Sequence, residues 1–446
     1  MTTGPFVIGE YRRPRRFDTG LQLGLILSLT VSLAVPSNAS GQGADSVRMI
    51  VSEGEGQRYW PRWRGPSGQG LVNGTGYPAT WSDTENVIWK AAVPGAGASS
   101  PISWANQLFI TTAEDPTDTV SVLSYRRSDG ELLWQTRVPD TTREHIHQKN
   151  THASATVTTD GKLVYASFGS KGLVAMDFDG RIAWHRSFGT INNYHGTAGS
   201  PLLYKDTIII YQDHNGGSEG GAFVAAFDKM TGEPVWRTSR RASVGWGSPI
   251  AIHTGDRDEL IVSSQRRVRA YNPNDGVELW NCGGNLFEVI PTPVVGHGMV
   301  FCSSGRAGPT LAIQPGGSGD VTATHVVWKS VKGSPFVPSP LLSGNRLYLI
   351  NDMGSIVTCY DAQRGEVLWQ GRLGRTAREG FSASPVVVDG KVFFMNDFGQ
   401  TFVVSDASEF ELLHVNELNA QTLASPALVD GRWYFRTNRE LITIGN

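Results

Sequence analysis

Cysteine is scarce in this chain: three residues in 446, at 282, 302 and 359, never two in succession. An odd count leaves at least one thiol free in an exported protein. A bridge between Cys282 and Cys302, which lie in adjacent repeat units, stays open. Charge of one sign is also missing. The formal net charge is −2, which gives no support to nucleic-acid binding. Extended helical periodicity is nowhere visible, which argues against a bundle or an α/β fold. Long apolar runs are lacking too. Leu21 to Val35 is 15 residues, short of the roughly 20 that a membrane span needs. It follows Arg12, Arg13, Arg15 and Arg16 and precedes Ser37-Asn38-Ala39, so residues 1–39 read as a signal peptide. No cysteine follows the apolar run, so no lipid-attachment site is present. The expected product is periplasmic or secreted, without a stable membrane anchor. Residues 40–58 are polar and read as a disordered linker.

What is abundant is glycine, 52 residues, beside 39% apolar and 10% aromatic residues. That composition suits a turn-rich all-β protein. Its unit is clearest at Ala226-Phe227-Asp228-Lys229-Met230-Thr231-Gly232-Glu233-Pro234-Val235-Trp236: apolar strand, polar turn, apolar strand ending in Trp. Gly232 suits a position of positive φ, and Asp228 can hydrogen-bond the turn backbone. The spacing recurs at Cys359, Asp361, Gly365 and Trp369, and at Ala270, Asn272, Gly276 and Trp280. Weaker copies end at Trp134 and Trp184, and a lengthened one at Trp328. These tryptophans stand 41 to 52 residues apart, the period of a solenoid, propeller or array.

A second signal interleaves with the first. A small residue followed by Pro or Ala opens each unit: Ser100, Ser154, Ser200, Ser248, Thr292, Ser339, Ser384 and Ser425. Four short strands follow each start. The Trp-bearing stretch Asn86–Lys90, with Trp89, precedes the first start, while the last unit lacks its fourth strand. The two halves complete each other, which closes a ring and leaves no open edge. The prediction is an all-β, eight-bladed β-propeller of four-stranded antiparallel blades over residues 59–446. Unit seven departs, with Leu413 where Trp is expected.

In this topology the links between units and the loops between second and third strands share one face. Loops on a rigid scaffold are where binding residues concentrate. The candidate site on that funnel face comprises His145, His147, Lys149, Asn150, Asn193, His195, Trp246, Phe336, Glu379 and Phe381. His145, His147 and His152 lack the flanking ligands of a recognised metal site, so no metal is expected. Asn351-Asp352 and Asn396-Asp397 could offer oxygens to Ca, but Asx turns account for them equally well.

The spaced Ala-Asp-Gly-Trp unit resembles the tryptophan-docking motif of the pyrroloquinoline-quinone (PQQ) repeat superfamily, over roughly residues 84–446. That superfamily includes eight-bladed quinoprotein dehydrogenases and the assembly factor BamB. Trp60-Pro61-Arg62-Trp63-Arg64-Gly65-Pro66 is similar to the opening of many secreted bacterial PQQ-like propellers of unassigned function. The resemblance implies a choice between a non-catalytic scaffold and a quinoprotein oxidoreductase. In the dehydrogenases, adjacent cysteines lie beneath the quinone, and Glu, Asn and Asp hold Ca. This chain has no such cysteine pair and no assignable catalytic set. The expectation is an exported, monomeric binding module for a cell-envelope protein or peptide, without a cofactor. The alternative is a PQQ- and Ca-dependent dehydrogenase.

Overall fold

The computed structural model describes residues 47–114, 119–142, 144–215, 221–241, 244–306, 308–374 and 380–446. The expected signal peptide and residues 40–46 of the expected linker lie outside them. Eight antiparallel sheets follow one another along the chain, and the only α-helical turn among the described residues is Thr322–His325. Blade 1 runs outward from the channel as Ile102–Trp104, Gln107–Glu114, Thr119–Arg126 and Leu132–Arg137. Blades 2 to 7 repeat this meander. Short polar turns force each strand back beside its predecessor.

The ring closes as the sequence implies. Val87–Ala92 pairs antiparallel with Glu440–Ile444, with Val87 opposite Ile444 and Ala92 opposite Glu440. Blade 8 is thus three C-terminal strands and one N-terminal strand.

The seven tryptophans of the repeat motif sit on outermost strands, and all but Trp280 dock on the next blade. Trp184 donates its indole N–H to the Lys229 carbonyl at 3.0 Å. Its ring covers Gly232, where φ is +69° and a Cβ would lie 2.5 Å from the indole. Both demands exclude other residues there. Trp89, Trp134, Trp236, Trp328 and Trp369 donate likewise to Arg127, Phe178, Pro273, Ala362 and Ala407. Trp89 therefore also seals the junction of blades 8 and 1.

Two seams depart from the rule. Trp280 donates to the buried carboxylate of Glu259 at 2.7 Å. The lengthened turn of blade 5 lays Gly319–Asp320 parallel to Trp280–Asn281, while Arg48–Met49 pairs with Ile252 and His253 on the inner edge. Blade 4 thereby becomes six-stranded. In blade 7 the register places His414, not Leu413, in the tryptophan position: His414 faces Val403 as Trp236 faces Ala226. Blade 8 has no covalent turn joining its outer strands, so the chain before Val87 takes that place. His414 bonds the Ala79 carbonyl at 2.6 Å and Trp433 donates to the Pro78 carbonyl at 3.0 Å.

The expectation of a disordered linker over 40–58 is corrected for residues 47–58, which are pinned to the ring. Ser52 N–H donates to the Pro66 carbonyl, and Ile50 N–H to the Ala251 carbonyl. The segment from Arg48 to Val72 then crosses the inner strands of several blades. Trp60 bridges to Ser103, Pro61 accepts from Thr159, and Leu71 pairs with Val387. Gln69 accepts from Val295 N–H at 2.6 Å, and Arg64 donates to the Pro340 carbonyl at 2.8 Å. Trp60 and Arg64 are fully buried. Aromatic and Arg-rich composition at 59–66 thus serves to stopper the turn-face end of the channel.

Candidate functional site

The unit starts build the channel wall. Seven of the eight junctions share one hydrogen bond, in which a backbone N–H donates to the hydroxyl of the next blade. The chain runs Ser100 to Thr156, Thr156 to Ser200, Ser200 to Ser248, Ser248 to Thr292, Thr292 to Ser339, Ser339 to Ser384 and Ser384 to Ser425. The distances are 2.7 to 3.0 Å. In unit two the hydroxyl comes from Thr156, two residues beyond the expected Ser154. Ser154 instead bonds the Asn150 side chain at 2.6 Å. At the eighth junction Arg436, fully buried, donates to Ser99 Oγ at 2.5 Å. Seven of the ring hydroxyls, all but that of Ser100, accept one N–H, and all eight ring residues line a cavity of about 300 Å³ that has Trp63 in its wall.

Above this ring the links from blade 1 to 2 and from blade 2 to 3 are tied together. Asn150 donates to the His195 carbonyl at 2.7 Å, and His147 N–H donates to the same carbonyl at 3.2 Å. The rings of His147 and His195 meet edge-on at 4.8 Å. His195 also packs on Tyr194 and Trp246, at 4.2 and 5.5 Å. Its Nε2 lies 3.6 Å from Glu288 Oε1, and the other Glu288 oxygen pairs with Arg306. Glu288 holds a φ of +54°, a strained backbone of the kind that accumulates at functional sites. The Arg306 guanidinium lies 5.7 Å over Phe336. Phe336 N–H donates to Asp352, whose carboxyl is pushed up by burial. Lys149 reaches from the blade 1–2 link to Asp397 of blade 7 at 2.9 Å.

His147, Lys149, Asn150, His195, Trp246 and Phe336 therefore converge on one cavity. Others do not. His145 is exposed and does not line the cavity, and Glu379 lies outside the described residues. Asn193 is buried, its side-chain oxygen capping His195 N–H. Phe381 has no exposure and packs on Phe402 at 5.9 Å, so it is a core residue rather than a contact residue. Trp246 is 5% exposed and spends its indole N–H on the Gly196 carbonyl. Sequence reasoning missed Arg306 and the ring hydroxyls as cavity wall. Gly305-Arg306 reads as an ordinary turn, and the repeated Ser-Pro start was the available signal for the ring.

Large apolar side chains are exposed around the mouth. Tyr194, Leu286 and Phe287, and Val331 belong to links on this face; Met353 and Phe398 belong to its middle loops. Phe287 and Phe398 are 60% and 61% exposed, which for phenylalanine marks a surface that awaits a cover.

A family model described as outer membrane protein assembly factor BamB matches residues 68–218, 220–316 and 352–444. The chain belongs to this family. A BamB of Burkholderia pseudomallei (strain K96243) is 22% identical over 280 residues, 60% of this chain and 65% of the relative's length. The matched region thus spans just under two thirds of that curated relative. The BamB of Moraxella catarrhalis has a TM-score of 0.58 at 14% identity, over 80% of this chain and 97% of that one. A quinohemoprotein alcohol dehydrogenase from Comamonas testosteroni gives 0.58 at 12%, over 87% and 80%. Both structures are similar in fold, and one fold hosts many functions.

The PQQ that this superfamily implies can be tested against the residues present. A tricarboxylate requires free cations. The cations on the cavity wall, Lys149 and Arg306, are each held by an acid, Asp397 and Glu288. Cys282, Cys302 and Cys359 are free thiols buried between blades, none on the cavity wall. Burial pushes the Cys302 thiol well up, as expected of an inert core thiol. No group of three His, Cys, Asp or Glu converges as a metal site among the described residues. The donor set does not fit a Ca-bound quinone. Among the described residues no helix is long and apolar enough to cross a membrane.

Proposed function

We propose that this member of the BamB family is an exported, non-catalytic propeller whose loop face docks a cell-envelope protein or an extended segment of one. The observation that carries this reading is the rim. Tyr194, Leu286, Phe287, Val331, Met353 and Phe398 are exposed on one face, around a mouth whose two cavity-wall cations, Lys149 and Arg306, are already paired. Apolar anchors within a polar setting are what a protein partner buries. Lys149–Asp397 and Glu288–Arg306 shape the mouth and leave little charge to repel an apolar side chain entering the cavity. The family match supports a role beside envelope proteins.

The test is a photo-crosslinking amino acid placed at Phe287 or Phe398, and at Val235 on the outer wall as control, in cells that make the full chain. One discrete adduct from both rim positions, absent from Val235, is the expected result. Equal crosslinking from wall and rim, or none from the rim, would overturn the reading.

A further inference from the structure

A second cluster of charge stands apart from the mouth, at the loop-face end of the seam between blades 3 and 4. Arg240, Arg241, Arg267 and Arg269 line one surface cavity, with Glu278 and Asp320 as its acids among the described residues. The anchor is Arg240, whose side chain has no exposure. Its Nε donates to Asp213 at 3.1 Å, one Nη donates to Ser264 at 3.0 Å, and the guanidinium lies between Tyr211 and Tyr271, 5.2 and 5.6 Å from their rings. The other nitrogen, Nη1, is buried without a partner. Nη1 of Arg269 and the hydroxyl of Tyr271 are also buried without partners.

Donors of this kind are expensive to leave unmade, and most of all charged ones. Glu278 and Asp320 do not relieve them. Glu278 reaches only Nε of Arg269, at 3.5 Å, and Asp320 is taken by Arg267 at 2.8 Å. What the cluster lacks is an acceptor with several oxygens. Guanidinium forks match such a group better than ammonium does.

We propose that this seam binds a small oxyanion of the phosphate or sulfate class, either as a free ion or as the terminal phosphate of a headgroup. Arg240 Nη1 and Arg269 Nη1 are its donors, and Arg267 adds charge at the rim. Asp213 holds Arg240 from behind and does not face the anion. Nothing in this assignment rests on the reading of the apolar rim as a docking surface.

Calorimetry on the purified full chain tests it, with sodium phosphate, then sodium sulfate, and sodium chloride as control. Saturable binding of phosphate or sulfate, not shared by chloride, is expected. Arg269→Gln removes one charged donor and should weaken it about 10- to 100-fold. Arg269→Lys, which keeps the charge but not the fork, should weaken it less. Thermal melts in anion-free buffer check that both variants are folded. Vesicles of phosphatidic acid in phosphatidylcholine, against phosphatidylcholine alone, distinguish the sources. Arg269-dependent sedimentation without heat from free phosphate assigns the site to a phosphomonoester headgroup. No saturable binding of either form, or binding that both variants leave unchanged, overturns the proposal and leaves hydrated arginines.

Discussion

The outer wall and the loop face of this propeller are built on opposite plans. At the wall one device repeats: an indole lies on a glycine turn of the next blade and donates to a carbonyl there. At the loop face no two links are alike. One carries His147 and Lys149, the next Tyr194 and His195, another Phe287 and Glu288. The wall needs uniformity because each blade must meet the same neighbour at the same angle. The loop face is free of that demand, since a blade's strands hold whether the link is short or long. Stability is expected to reside in the repeated parts, and recognition in the unrepeated ones.

The comparison breaks first, if it breaks, at the closure. Deleting residues 84–90 removes most of the fourth strand of blade 8 and the indole that docks on Gly130. Loss of the cooperative unfolding transition in a thermal melt is expected. A truncated chain that melts like the parent would refute closure by pairing. Trp236→Ala comes next. It removes a buried ring and its bond to the Pro273 carbonyl, and about 3–5 kcal/mol should be lost in denaturant unfolding. His147→Ala, which also truncates an aromatic ring to a methyl but at the exposed mouth, should stay within about 0.5 kcal/mol. Similar losses at both positions would erase the division between wall and mouth.

A smaller effect at the wall depends on pH. Asp406, in the turn of blade 7, accepts from Arg346, Tyr348 and Ser343 of blade 6 at 2.7, 2.6 and 2.6 Å. Burial pushes its carboxyl up, but these hydrogen bonds outweigh burial and hold it below the usual carboxylate range. A depressed carboxyl binds fewer protons in the folded state than in the unfolded one. Its contribution is therefore fully present above the unfolded value and is lost as pH falls through the folded one. Asp406→Asn should cost about 1–3 kcal/mol near neutrality, and the difference from the parent should shrink in acid. A difference that stays constant with pH would show that shape, not charge, holds this seam.

The wall was legible in the sequence because its demands are local. Positive φ and contact with an indole leave only glycine at position 232, so the constraint is written in one letter. The strand at Val87 was legible for a related reason: a Trp-bearing strand stood before the first unit and another was missing from the last. The loop face was less legible. Phe381 and Trp246 look like exposed anchors in a list of loop aromatics, yet both fold into packing that depends on residues from other blades. His414 was hidden by a one-residue offset that only strand register settles. Residues 47–58 read as linker because their partners, Ala251 and His253, lie some two hundred positions away.

The smallest expected effect on stability sharpens the comparison most. Phe287 and Phe398 are mostly exposed, on blades separated around the ring. Replacing both by Ser removes apolar area that is already in water, so the unfolding free energy should change by no more than about 0.5 kcal/mol. If the rim is a docking surface, the same double variant should lose partner adducts from a crosslinker at Met353, which neither substitution touches. A stable variant that still forms those adducts would detach recognition from the apolar rim. A destabilised one would mean that these rings pack within the ring itself, and the loop face would then have to be counted with the wall.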